Sequence, residues 1–548
     1  MTTIRLPQLL AAALAVTTLT WGLTACSASS AAPAAARDTA VYGGTLTFYD
    51  PVEYTAWQST NSLWSNSNVT PSVADRLIWQ DPATGAFHPW LAQSWSISPD
   101  HLSYTFHLRP GITFSNGDPL TAQVIKDNFD QHAFGNAKLG IAPDSFWEGY
   151  VSTTVINKLT FVVKIAKPNA GFLQILSNYR ASSILDEPYL KLNLGGQSLL
   201  QNWVGTGPFV VEKVVGTTEV ILKRRDDYNW APEGYPHQGK AYLQTIIFKV
   251  VPEESTRVGA LESGAAQIVR NVAPYDEATI KAEGGTVVGI PVQGETNSLK
   301  IQLNAKAPTQ DLQVRLALQA ATNRQEINKV ALSPSYPVPS SALVEGTPDR
   351  GNASSYLAYN LPRAEALLNA DGWKAGPGGI RVKDGKQLHF DIWVSPYYQV
   401  SLAVLQVLQS EWLKAGISLT IHSASLTQYE ALEGGQATHP SPDWSFDQGQ
   451  TSTADPNVLR VSTSFHGYNA YNFVTPDTTL ESLLNAQATA FTPAARKAAV
   501  QAIENRLFSQ AYEIPLYDET QVFGLASKVH GFSTESTARS WFYNTWLS

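Results

Sequence analysis

The chain has 548 residues, with 46 acidic side chains against 38 basic ones and a formal charge of −8. So acidic a protein is a poor match for nucleic acid, and its length exceeds the roughly 250–300 residues at which one core stops growing, so at least two lobes are expected. Cys26 is the only cysteine, which excludes internal disulfides and leaves stability to burial.

The N-terminus carries one basic residue, Arg5, then an apolar run over residues 9–16, then small and hydroxylated residues ending in Leu23-Thr24-Ala25-Cys26. This reads as a signal peptide over residues 1–25, too short and threonine-broken to span a membrane. Cleavage ahead of Cys26 would leave that residue acylated, as in a bacterial lipoprotein, with residues 26–40, rich in Ser, Ala and Pro, as a flexible tether. Loss of Arg5 with the leader takes the charge to 37 − 46 = −9. No further long apolar run follows, so the rest is expected to be a soluble body on the outer face of the cytoplasmic membrane.

Short strands then alternate with amphipathic helices, an α/β texture. Residues 42–49 and 102–108 alternate apolar and polar and are bounded by Gly or Pro-Gly turns, predicting strands. Helices are predicted from Thr121 to 129, over 363–371 behind Pro362, and over 494–509 behind Pro493. Residues 400–415 carry a stripe of Leu402, Leu405, Leu408, Trp412 and Leu413 that stops at Gly416 before a strand over 417–422. Asn116-Gly117-Asp118-Pro119 predicts a turn with Thr121 as the helix cap. Arg109 is expected to pair with a carboxylate and Trp95 to fill a core. Many of the 15 Trp and 22 Tyr stand beside Gly, Pro, Asp or Asn, a placement suited to the wall of a binding cleft. Gly205 to Pro208 lacks the third glycine and Lys-Ser/Thr of a phosphate-cradling loop, which argues against a nucleotide site.

Four ordered landmarks carry a resemblance. The first is Pro89-Trp90-Leu91-Ala92-Gln93-Ser94-Trp95, then Tyr104-Thr105-Phe106-His107-Leu108-Arg109-Pro110-Gly111, then Phe114 to Ala122. Gly205-Thr206-Gly207-Pro208-Phe209 with Arg225-Asp226-Asp227-Tyr228, Leu261-Glu262-Ser263-Gly264, and Val314-Arg315-Leu316-Ala317-Leu318 with Thr322-Asn323-Arg324 follow in sequence. Together they resemble the family 5 extracellular solute-binding proteins, the dipeptide, oligopeptide and nickel receptors of ABC importers. The resemblance implies a two-lobed periplasmic-binding-protein-like fold with the ligand cleft between lobes. Lobe I would combine residues 41–84, 200–300 and 520–548, with an extra subdomain at 85–199, and lobe II would span 301–519. Hinges would lie near 300 and 520.

In peptide-binding relatives, a lobe II stretch with Trp, an acidic residue and Asp-Pro supplies a carboxylate for the ligand's ammonium group. The matching stretch here is residues 443–457. Asp455-Pro456 fits the Asp-Pro, but the position three before it is Ser452, so either the ammonium site is changed or Asp447 takes its role through a shifted loop. Loss of that carboxylate would change the ligand class, because a charge-assisted bond of this kind is worth about 1.5–3 kcal/mol. Other expected ligand-binding residues are Tyr54 and Trp57, Phe146 and Trp147 in the subdomain, and Trp444 and Phe446 in lobe II, with His466 and Tyr468 as further candidates.

The ten histidines form no HxxxH pair, so no metal site and no cofactor is expected. A secreted hydrolase is the enzymatic alternative, but no GxSxG elbow or HExxH helix supports it. The reading is therefore a monomeric, lipid-anchored, non-enzymatic receptor that delivers a solute, foremost a peptide or peptide-like compound, to an ABC permease and ATPase complex. A metal chelate, siderophore or oligosaccharide on the same fold is the alternative ligand.

Overall fold

The computed structural model describes residues 40–61, 64–304, 307–435 and 444–548; the leader, Cys26 and Asp443 lie outside them. Strand Thr45–Asp50 buries Leu46, Phe48 and Asp50 and turns its alternate residues outward, the period-two pattern of a sheet with one covered face. It pairs in parallel with Thr245–Val250 and Ile268–Arg270. Antiparallel strands complete a seven-stranded sheet in the spatial order Thr286–Pro291, Thr520–Leu525, Ile268–Arg270, Thr45–Asp50, Thr245–Val250, Glu219–Arg224, Phe209–Val215.

The subdomain is a four-stranded antiparallel sheet ordered Ala92–Ile97, Ser103–Leu108, Thr160–Ile165, Tyr150–Asn157. Helix Ala122–Phe134 starts where the sequence predicts it, with the Thr121 side chain accepting from Val124 N, and Gly117 takes the positive φ of 91° that the preceding turn requires. Arg109 differs from expectation: it donates to the carbonyl of Ala231 at 3.3 Å. Trp95 is only partly buried, packed at the margin of the core.

Lobe II centres on a three-stranded antiparallel sheet, Phe446–Gly449, Asn297–Ile301 and Glu513–Tyr517, beside a parallel pair, His389–Trp393 and Ser418–His422. Helix Ser401–Lys414 connects that pair and buries Val404, Leu405, Leu408 and Trp412. Leu402 and Leu413, read into the same stripe from sequence, are exposed, because only a narrow face meets the sheet. The chain crosses from the large sheet to the small one between Pro291 and Asn297, and returns between Tyr517 and Thr520. The two crossings are tied by Val292 N donating to Glu519 O at 2.8 Å. The Gly205-Thr206-Gly207 landmark is a packing device: a Cβ on Gly205 would lie 2.2 Å from Val73 O and one on Gly207 2.6 Å from the same atom, while Thr206 Oγ1 donates to Asp75.

Candidate functional site

In sheets with parallel strands, ligand clefts open at the strands' carboxyl ends. Here those ends carry Asp50 and Arg270, both fully buried and paired. Tyr54 Oη and Asn68 Nδ2 donate to Asp50 Oδ2 at 3.2 and 3.0 Å, and Arg270 Nη1 donates to Gln521 Oε1 at 2.7 Å. Burial, reinforced by Asp50, holds the Tyr54 hydroxyl well above the ordinary phenol range. Tyr54 thus stiffens the floor, and Trp57, 5.8 Å from it and also buried, supports it. Neither ring faces outward in this state.

The subdomain pair divides. Trp147 is core: its Nε1 donates to Ala181 O at 2.6 Å, and Phe129, Tyr150 and Phe172 enclose its ring. Phe146 is only partly buried and carries the Arg180 guanidinium 5.5 Å over its ring. Next to Arg180, Tyr179 faces Arg539: burial alone would raise the Tyr179 pKa, but Arg539, Ser67 and Arg180 outweigh it and hold the hydroxyl below its ordinary value.

In lobe II, Phe446 packs among Phe390 and Trp412 in the core, and Trp444, 2% exposed, lies on Tyr429. Alternation turns Asp447 to the opposite face, in register with Lys300, which pairs in turn with Glu513 on the next strand. Asp447 is half-buried and accepts from Tyr429 Oη at 3.1 Å. Burial pushes its pKa up, with Lys300 and Tyr429 opposing. Lys300 itself donates to Glu295 at 2.9 Å. Helix Leu426–Gly435 brings Glu433 alongside; burial and then Asp447 push that carboxyl to about 7, while Tyr468 Oη donates to it at 3.3 Å. Tyr397 donates to Glu430 at 3.2 Å. The exposed His466 joins none of this.

Ser452 and Asp455 have structural surroundings. Gly294, at φ 139° on the first crossing, lies so close to residues 451–453 that a Cβ there would come 2.3 Å from Thr451 O, and Glu295 N donates to Thr451 O at 2.9 Å. The Ser452 loop is thereby fastened to the crossing. Asp455, 5% exposed, is ion-paired to Arg496 and also accepts from Asn457 N at 2.8 Å. Its carboxylate is committed to the frame. Arg496 donates onward to Ala170 O at 3.2 Å, and Gln80 Nε2 donates to Ala454 O at 2.9 Å. His101 stacks in parallel on Phe491 at 3.6 Å. These contacts join the subdomain side to lobe II at one rim; at another, Gln399 donates to Glu254 at 3.1 Å.

Sequence reasoning missed Glu433 and Glu519. Glu519 stands on the return crossing, half-buried, with Asn297 Nδ2 3.5 Å from Oε2; burial lifts its carboxyl to about 7 against the pull of Tyr517, Arg539 and Asn297. An acidic pair, Asp518-Glu519, wedged between two apolar strands was the available signal. Among the described residues, no group of three His, Cys, Asp or Glu is placed to hold a metal ion, and no helix is long and apolar enough to cross a membrane.

The profile of the bacterial extracellular solute-binding proteins, family 5 Middle, matches residues 86–471. The glutathione-binding protein GsiB of Salmonella paratyphi A is 26% identical over 455 residues, 81% of this chain and 82% of the relative. The nickel-binding periplasmic protein of Escherichia coli K12 is 25% identical over 62% of this chain and 63% of its own. Among solved structures, NikA from Brucella suis, in complex with Fe(III)-EDTA, superposes with a TM-score of 0.78 at 21% identity over 92% of this chain and all of that one. The oligopeptide-binding protein AppA of Bacillus subtilis, holding a nonapeptide, gives 0.71 at 18% identity over 93% and 100%.

Proposed function

We propose that this chain, which belongs to the bacterial extracellular solute-binding proteins of family 5, captures a peptide or peptide-like solute between its lobes and passes it, chemically unchanged, to an ABC import permease. The observation that carries this reading is the charge division of the cleft. Arg180 and Arg539 gather on the lobe I side around Tyr179, whereas Asp447, Glu433 and Glu430 gather among tyrosines in lobe II. A zwitterion spanning the cleft would satisfy both, its carboxylate near the guanidinium groups and its ammonium near the carboxylates. With Asp455 committed to Arg496, Asp447 is, among the described residues of the 443–457 stretch, the acid left to meet an ammonium group. The relatives named for glutathione and for oligopeptides fit the same ligand chemistry.

Capture at the outer membrane face rests on Cys26. In this reading residues 1–25 are removed and the monomer is held by lipid through the 26–40 tether. A Cys26→Ala protein is expected in the medium; retention on the membrane would contradict the anchor. For the ligand, a thermal-shift screen over di- to pentapeptides, nickel chelates, siderophores and oligosaccharides gives the test. A concentration-dependent rise in melting temperature with peptides is the expected result. A response confined to chelates or sugars would overturn the peptide assignment while leaving the receptor role.

A further inference from the structure

We propose that Glu519 is a recognition carboxylate of the cleft, taking a cationic ammonium group of the bound solute on the segment that joins the lobes. This rests on the peptide-like reading above and deepens it. Every residue from Glu513 to Leu525 is buried except Glu519. Its neighbour Asp518 is 1% exposed and accepts from Glu345 N at 2.8 Å, so the two acids of the crossing have opposite fates. The backbone of Glu519 is pinned by the bond from Val292 N, which sets its side chain where both crossings meet.

Around that carboxylate stand the groups a cation site needs. Asn297 Nδ2 approaches at 3.5 Å. The Tyr517 hydroxyl, in a side chain only 1% exposed, lies against Glu519 and has no second partner. Tyr398 and Tyr336 are within electrostatic reach, and both are pushed to higher pKa by burial and then by this carboxylate. Tyrosine faces and a carboxylate form a favourable enclosure for an ammonium ion. Tyr398 also feels Asp447, which puts Glu519 and Asp447 along one wall. Arg539, near enough to oppose the upward shift of Glu519, is hydrogen-bonded to Tyr179, leaving it on the side suited to the solute's carboxylate.

The test uses the purified full chain, its Glu519→Gln and Glu519→Asp variants, and two probe mixtures: di- and tripeptides of Ala, Gly and Ser with free N-termini, and the same mixture N-acetylated. Bound fractions are read by native mass spectrometry and melting temperatures by calorimetry. Wild type is expected to retain free-amine peptides in preference to acetylated ones. Glu519→Gln is expected to lose at least about tenfold in that affinity, as for removal of one charge-assisted partner, with the ligand-free melting temperature kept and Glu519→Asp losing less. Unchanged free-amine binding in Glu519→Gln would overturn the assignment while leaving the peptide reading intact. Equal binding of both mixtures by wild type would overturn this assignment alone, whereas wild type that binds neither would overturn the peptide reading and this assignment with it.

Discussion

Asp447 and Asp455 belong to one short stretch of lobe II, yet their surroundings give them opposite roles. Asp455 is nearly sealed, ion-paired to Arg496, and through Arg496 tied to Ala170 of the subdomain. Asp447 is half-buried, holds one tyrosine hydroxyl, has its own proton affinity raised by burial, and in turn raises that of Glu433 beside it. Removing one partner of a buried pair strands the other charge, whereas removing an under-compensated carboxylate relieves repulsion. A solute receptor needs both kinds of acid: one to hold the frame and one left hungry for a cation.

The comparison breaks most visibly in stability. Arg496→Ala should cost about 3–5 kcal/mol, as for a buried ion pair that loses one member, and lower the melting temperature by several degrees; calorimetry that finds no loss would mean that Asp455 is not committed. Asp447→Asn should leave the melting temperature unchanged or raised, and weaken an ammonium-bearing ligand about tenfold. Acidity sharpens the contrast next. Burial lifts to about 7 both Glu433, facing Asp447, Glu430, Tyr468 and Lys300, and Glu519, facing Tyr517, Arg539 and Asn297. A bound cation favours their charged forms, so binding releases protons and affinity should rise from about pH 5.5 to about 7.5, then fall as the ligand's own α-ammonium group deprotonates at about pH 8. Folding stability has the opposite sign: folded pKa values above the unfolded ones contribute stability that is present at low pH and lost as pH rises through about 7. A pH-independent affinity would remove both acids from recognition. The smallest effect is expected at the rim, where Phe491→Ala deletes the stack on His101 and should change affinity by about 0.5–1.5 kcal/mol by making the closed form less favourable; small-angle scattering should record a more open ligand-free protein.

Much of the frame was readable in the residues because it is local. Thr121 caps its helix, Pro493 opens helix Pro493–Ser509, and the alternation of Thr45–Asp50 and Ser103–Leu108 matches their buried faces. The family landmarks were readable too, and the structure gives one its reason in the glycines that lie flush on Val73. The site was harder. An aromatic beside a turn looks alike whether it stays partly exposed, as Phe146 does, or fills a core, as Trp147 and Phe446 do. Which of two aspartates is already paired depends on Arg496, far along the chain. Glu519 stands out only against the burial of both flanking strands, which the sequence does not show directly.

The most direct test of the central claim is isothermal titration of the tightest peptide from the thermal-shift screen into wild type and Asp447→Asn at neutral pH. The account predicts an affinity about tenfold lower in the variant, with its ligand-free melting temperature preserved. Equal affinities would contradict it, returning Asp447 to the frame alongside Asp455.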